Sequence, residues 1–180
     1  MVYTCNYDSP VGKLLLAEKD GALVGLWIEG QKYFLGSVQE ETEEKGDSAV
    51  LNRTKEWLDY YFGGEKPPVS ALKLAPAGSE FRKAVWSALC EIPYGRITTY
   101  GEITKKLAVS RGISKKATQA VGGAVAHNPI SIIIPCHRVV GVNGNLTGYA
   151  GGLDKKVWLL THEGVEVSDG NKRGYNGSLN

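Results

Sequence analysis

Glu65-Lys66-Pro67-Pro68-Val69-Ser70-Ala71-Leu72-Lys73-Leu74-Ala75-Pro76-Ala77-Gly78 is the stretch on which the reading of the fold turns. Its prolines can neither continue a helix nor donate to a sheet ladder, so it reads as a linker. The 180-residue chain then divides into an N-terminal part, 1–77, that includes the linker, and a C-terminal part, 78–180.

Upstream of the linker, Tyr3–Tyr7, Lys13–Glu18 and Ala22–Ile28 read as short strands, the last two joined across Asp20-Gly21, a strong hairpin signal. Ser48 to Phe62 reads as a helix with Val50, Leu51, Thr54, Trp57, Leu58 and Tyr61 on one side, ended by Gly63-Gly64. Downstream, Ser79 can cap a helix running to about Ile92, stopped by Pro93-Tyr94-Gly95. Thr99-Tyr100-Gly101-Glu102 has the form of a capping box and predicts a short helix to about Ala108. After a turn over Val109–Ile113, Ser114 is expected to cap a helix carrying Ala117, Ala120, Val121, Ala124 and Val125. Two short helices about a polar turn resemble a helix-turn-helix. Then come a buried run, Ile130–Ile134, a turn at Asn143-Gly144-Asn145, and a helix over Leu153–Glu163 ended by Gly164. The expected class is α+β: a small sheet-plus-helix domain, then a mostly helical one containing the helix-turn-helix.

The net charge of +2 conceals a division. Residues 1–77 hold 8 Lys and Arg against 12 Asp and Glu, whereas residues 78–180 hold 13 against 7. No acidic residue lies between Glu102 and Asp154, yet Lys105, Lys106, Arg111, Lys115, Lys116 and Arg138 do. A phosphate-facing surface requires this pattern, and a solvated basic face also satisfies it. No stretch approaches the roughly 20 apolar residues of a membrane span, and no signal segment opens the chain, so a soluble protein of the cytoplasm is expected. Cys5, Cys90 and Cys136 are an odd number without a Cys-x-x-Cys pair, which argues against a disulfide framework or zinc knuckle and for a reducing compartment. The small residues Ala120, Gly122, Gly123, Ala124 and Ala126 have two readings: tight helix packing, or a slim face that admits a duplex.

Ile132-Ile133-Ile134 drives the chain inward and Pro135 fixes its direction before Cys136, so the thiol is presented at the edge of a core. A thiol of pKa about 8.5 is only a few per cent ionised at neutral pH and needs a neighbouring base. His137 is adjacent, but successive side chains point apart, so it is expected to act through a water or a sharp bend. Glu163 can orient it, by the logic of nucleophile, base and orienter. A cysteine hydrolase and a non-catalytic damage sensor both remain open on these residues.

Pro135-Cys136-His137-Arg138-Val139, with Asn128-Pro129 before it and Gly148-Tyr149-Ala150-Gly151-Gly152 and His162-Glu163-Gly164 after it, resembles the O6-alkylguanine-DNA alkyltransferases. The motifs, in the same order and spacing, cover most of residues 79–164; residues 1–77 match mainly in length and elements. The resemblance implies that Cys136 is the alkyl acceptor, linked through water to His137 and Glu163 and braced by Asn128. It implies that Tyr100 touches a flipped base and donates a proton as guanine leaves, that Tyr149 and Ala150 line the pocket, and that the Val139 carbonyl reads the exocyclic amine. The helix from about Ser114 to His127 would enter the minor groove of double-stranded DNA, with Gln119, Ala120, Gly122, Gly123, Lys115, Lys116 and Arg138 at the duplex. The reaction would be a single irreversible transfer from O6-alkylguanine, with O4-alkylthymine a further candidate, by a monomer without metal or organic cofactor. Two departures stand out. Gln119 occupies a place where the family commonly has an intercalating arginine, and the stretch from Tyr100 to it is several residues longer. Some members bind zinc in the N-terminal half through cysteines and histidines; here Cys5 stands alone and no histidine precedes residue 127, so no zinc is expected.

Overall fold

The structure, a computed structural model, describes residues 1–167. It is α+β, and its backbone contacts separate two compact units. The first comprises Met1–Gly78 and Pro129–Ile133; the second comprises Ser79–Asn128 and the chain from Ile134. Residues 129–133, which sequence alone leaves in the second half, thus belong to the first unit. The expected second domain extends over residues 168–180, which lie outside the described residues.

In the first unit β1 (Val2–Ser9), β2 (Gly12–Lys19) and β3 (Ala22–Ile28) form an antiparallel meander, and β4 (Thr42–Glu44) runs parallel to β1, giving the order β3-β2-β1-β4. Asp20 and Gly21, at φ +50° and +77°, make the two-residue turn their identities announce. The outer edge of β3 is covered. Leu23 exchanges hydrogen bonds with Lys73 and Ala75, and Leu26 with Pro129 and Ser131, each at 2.8–2.9 Å, so the sheet exposes no row of open donors there. Helix α1 (Ala49–Phe62), capped by Ser48, packs on the strands through Leu51, Leu58 and Tyr61.

The second unit contains α2 (Glu80–Cys90), β5 (Thr98–Thr99), α3 (Tyr100–Arg111), α4 (Thr118–Ala126), β6 (Val139–Val140) and α5 (Leu153–His162). Ser79 caps α2, and both halves of the Thr99–Glu102 capping box form. Two expectations fail. Helix α3 continues through Val109 to Arg111, because Gly112 at φ +68° supplies the left-handed stop three residues later than expected. Ser114 does not cap a helix; its hydroxyl accepts from the Lys116 N–H in a turn, and α4 starts at Thr118 without a side-chain cap. Trp86 ties α2 to α4 through Nε1–H to the Ala124 carbonyl, 2.8 Å. Strands β5 and β6 pair in parallel, Thr98 with Val139 and Thr99 with Val140, which sets the start of α3 beside the chain leaving Cys136. Among the described residues no helix is long and apolar enough to cross a membrane.

Candidate active site

Two three-residue turns precede Cys136. The Ile133 N–H donates to the Ser131 carbonyl at 2.8 Å around Ile132, whose φ is +72°. The Cys136 N–H donates to the Ile134 carbonyl at 2.8 Å around Pro135, at φ −82° and ψ 64°. The second is a relaxed inverse γ-turn; the first holds a β-branched residue in the left-handed region, a strain of about 1–3 kcal/mol. Cys136–Arg138 then form a 3₁₀ turn, which separates successive side chains by about 120° around its axis. Cys136 and His137 therefore diverge, as the sequence anticipates.

His137 is fully buried, and its Nε2 lies 2.6 Å from Oε2 of Glu163, itself fully buried. Burial pushes the imidazole below its ordinary pKa of 6.5 despite the opposing pull of Glu163, with the charges of Arg138 and Lys156 adding to the burial. At neutral pH the ring is uncharged, and Nε2 carries the proton it donates to Glu163. Nδ1 is then a lone-pair acceptor, buried and without a hydrogen-bond partner in the structure.

Arg138 overturns the expectation that placed it at DNA. Its guanidinium is buried: Nε donates to Glu163 Oε1 at 2.7 Å, Nη2 to Oε2 at 3.2 Å, and Nη1 to the Ile92 carbonyl at 2.7 Å. The Tyr94 ring also lies against it, 5.7 Å from centroid to guanidinium carbon. A guanidinium neutralising a buried carboxylate cannot also reach a phosphate. Gly95 completes the cradle, its N–H donating to Glu163 Oε1 at 3.1 Å. At φ +75° it suits glycine, and a Cβ there would lie 3.0 Å from the Glu163 carbonyl oxygen.

The thiol itself is buried, which pushes its pKa up; opposing this are a hydrogen bond from Asn128, the charge of Lys156 and the N–H groups of Cys136 and His137. Asn128 also donates from Nδ2 to the Ile134 carbonyl at 2.8 Å, so one amide fixes both sides of Pro135. Lys156 escaped the sequence reading. It is wholly buried in α5, donating from Nζ to the carbonyls of Val139 at 2.6 Å and Gly148 at 2.9 Å, and burial lowers its pKa to about 8. Its helical neighbours Leu153, Leu159 and Leu160, at i−3, i+3 and i+4, mark an apolar face and were the available signal.

Tyr100, the first residue of α3, is half-buried; burial raises its pKa, the Thr147 side chain opposes, and Cys136 adds to the rise. The Val139 carbonyl, committed on one side to Lys156, retains a second lone pair. Tyr149 and Ala150 are half-buried on the loop before α5. On α4 and the turn before it, Lys115, Lys116, Gln119, Ala120 and Gly123 are exposed and Gly122 is half-buried. A Cβ on Gly123 would meet nothing within 4 Å, and one on Gly122 only Tyr100 Cδ1 at 3.9 Å. Internal packing therefore does not require glycine at either position.

Residues 1–76 match the family described as 6-O-methylguanine DNA methyltransferase, ribonuclease-like domain, and residues 80–165 the corresponding DNA binding domain. The methylated-DNA–protein-cysteine methyltransferase of Methanosarcina acetivorans is 45% identical over 168 residues, covering 91% of this chain and 99% of its own. That of Haemophilus influenzae is 38% identical, covering 93% and 89%. Among solved structures, Mycobacterium tuberculosis OGT in complex with DNA aligns with a TM-score of 0.78 at 36% identity, over 90% of this chain and 93% of its own.

Proposed function

The chain belongs to the 6-O-methylguanine DNA methyltransferase family, and on that premise we propose that it repairs DNA by transferring the alkyl group of O6-alkylguanine to Cys136. It is a methyltransferase that acts by direct, stoichiometric and irreversible transfer. The observation that carries the assignment of the acceptor is that the residue next to the buried Cys136 thiol is a neutral histidine whose Nε2 is committed to Glu163 and whose Nδ1 lone pair is open.

In the reaction a water relays the Cys136 proton to Nδ1, and Glu163 stabilises the imidazolium that forms. The sulfur bonds to the alkyl carbon as the carbon–O6 bond breaks, and the electron pair stays with the base. Tyr100 donates a proton to a ring nitrogen, so guanine departs neutral, and the proton lost by the thiol balances the one gained by the base. The thioether has no hydrolysable bond, hence one transfer per molecule. Asn128 holds the thiol's approach, the Val139 carbonyl accepts from the exocyclic amine, and Tyr149 with the Ala150 backbone closes the pocket. The same displacement is chemically open to O4-alkylthymine.

The target atom lies within a base pair, so the nucleotide must leave the stack, at a cost of a few kcal/mol. We assign α3, the turn and α4 as a helix-turn-helix that enters the minor groove. Support comes from glycines on an exposed helix with no packing need for them, flanked by Lys115 and Lys116. Gln119, two residues into α4, fills the gap left by the extruded base. The acceptor and DNA-binding roles fall to the C-terminal domain, and the protein acts as a monomer in the cytoplasm, where Cys5, Cys90 and Cys136 remain thiols. A Cys136→Ser variant tests the assignment: it should still bind an O6-methylguanine duplex and accept no methyl group. Transfer to the variant at wild-type stoichiometry would contradict it.

A further inference from the structure

We propose that Lys156 is a positioning residue for recognition of the damaged base: its buried ammonium clasps the Val139 carbonyl to the loop that carries Tyr149, and so keeps that carbonyl set for the exocyclic amine. The inference rests on the reading of Val139 given above and adds the residue through which that recognition is held in place.

Lys156 Nζ donates to the Val139 carbonyl at 2.6 Å and to the Gly148 carbonyl at 2.9 Å. Val139 opens β6, and Gly148 stands directly before Tyr149 and Ala150. One side chain from α5 therefore joins two stretches of backbone to which the proposed pocket assigns separate walls. Apolar packing brings the three elements together: Val140, Leu146, Val157 and Leu160 form one buried cluster drawn from β6, the loop and α5. Lys156 is the residue before Val157, and its two bonds are the polar counterpart of that cluster.

Packing alone does not ask for lysine at this position. The residue is wholly buried, and both of its hydrogen-bond partners are carbonyls, which offer no counter-charge. An ammonium there gives up its hydration, a loss that a methionine of similar length avoids. What lysine adds is its N–H groups. Val139 is itself fully buried, and a buried carbonyl left without a donor until a ligand arrives is destabilising. Lys156 fills one lone pair and leaves the second for the base. The carbonyl is thereby set before the base enters, and affinity is not spent on turning it. Loss of the lysine proton at high pH does not undo the clasp, because a neutral amine keeps two N–H groups for two carbonyls.

The test compares the second-order rate constant of methyl transfer from two duplexes, one carrying O6-methylguanine and one carrying O6-methylhypoxanthine, which lacks only the exocyclic amine. The proteins are the wild type, Lys156→Met and Lys156→Leu; the two variants remove the same N–H groups with different shapes, so either one that folds carries the comparison. The wild type is expected to prefer the guanine lesion by about 10-fold. In the variants the preference should shrink to about twofold or less, because the carbonyl no longer stands ready for the amine. Differences in pairing and extrusion between the two bases belong to the duplexes and cancel when the preferences are compared. A variant that slows on both duplexes by one factor and keeps the full preference overturns the proposal, since a merely structural lysine would give that result. If the wild type shows no preference, the reading of Val139 falls and the proposal with it; if the wild type discriminates and the variants do so equally, the proposal alone falls.

Discussion

His137 donates from Nε2 to Glu163 Oε2 across 2.6 Å with both side chains sealed from solvent, and the same carboxylate is neutralised by Arg138 at 2.7 Å. The imidazole is thereby held in one tautomer with Nδ1 open. The charge that orients it is stable in the interior only because Arg138 accompanies it.

Removing that charge should be expensive. Glu163→Gln leaves Arg138 buried without its counter-ion, and we predict a loss of about 3–5 kcal/mol in unfolding free energy by chemical denaturation. Transfer should slow at least 10-fold in the folded fraction, since an amide cannot stabilise the imidazolium. A variant as stable as the wild type would refute the buried pair.

Stability should decline on the acid side through His137. Its folded pKa is held below 6.5 by burial, so below that pH the unfolded chain binds a proton that the native one refuses. The contribution is fully present above pH 6.5 and is lost as pH falls through the lower folded value. At the alkaline end Lys156, at about 8 folded against 10.5 unfolded, acts with the same sign: stability from this group rises between those values, as the native chain gives up a proton the unfolded one retains. Denaturation midpoints across pH 5–10 in Lys156→Met should lose the alkaline rise and keep the acid decline.

Gly123 separates the two readings of the small residues on α4. With open space beyond its Cβ position, Gly123→Ala should stabilise the protein by about 0.5–1 kcal/mol through helix propensity. Gly123→Leu should fold and bind duplex at least 10-fold more weakly. Tight packing predicts instead that Ala destabilises.

The divided charge, the capping box, the hairpin turn and the Cys136 motif were legible in the sequence because each is a local pattern. What was not legible depends on direction. Arg138 follows Cys136 and His137 in a basic stretch, and nothing local says that its guanidinium turns inward to Glu163, 25 residues on. Lys156 went unremarked although Leu153, Leu159 and Leu160 bracket it on a buried face. Ser114 had the chemistry of a cap, but Gly112 moved the helix stop and left it in the turn.

Gln119 should limit duplex affinity. Gln119→Arg adds a cation on the exposed start of α4, and the slope of log affinity against log salt should steepen by about 1 while binding tightens at low salt. Equal slopes would place residue 119 away from the phosphates and the stacked bases.

Intact-protein mass spectrometry with peptide mapping, after incubation with excess O6-methylguanine duplex, decides whether Cys136 takes the methyl group and keeps it. The expected result is a gain of one methyl group per molecule, confined to the peptide bearing Cys136, saturating at one equivalent and persisting after the DNA is removed. A methyl group on another residue, repaired DNA in excess of one equivalent, or an unmodified protein that still binds the lesion would contradict it.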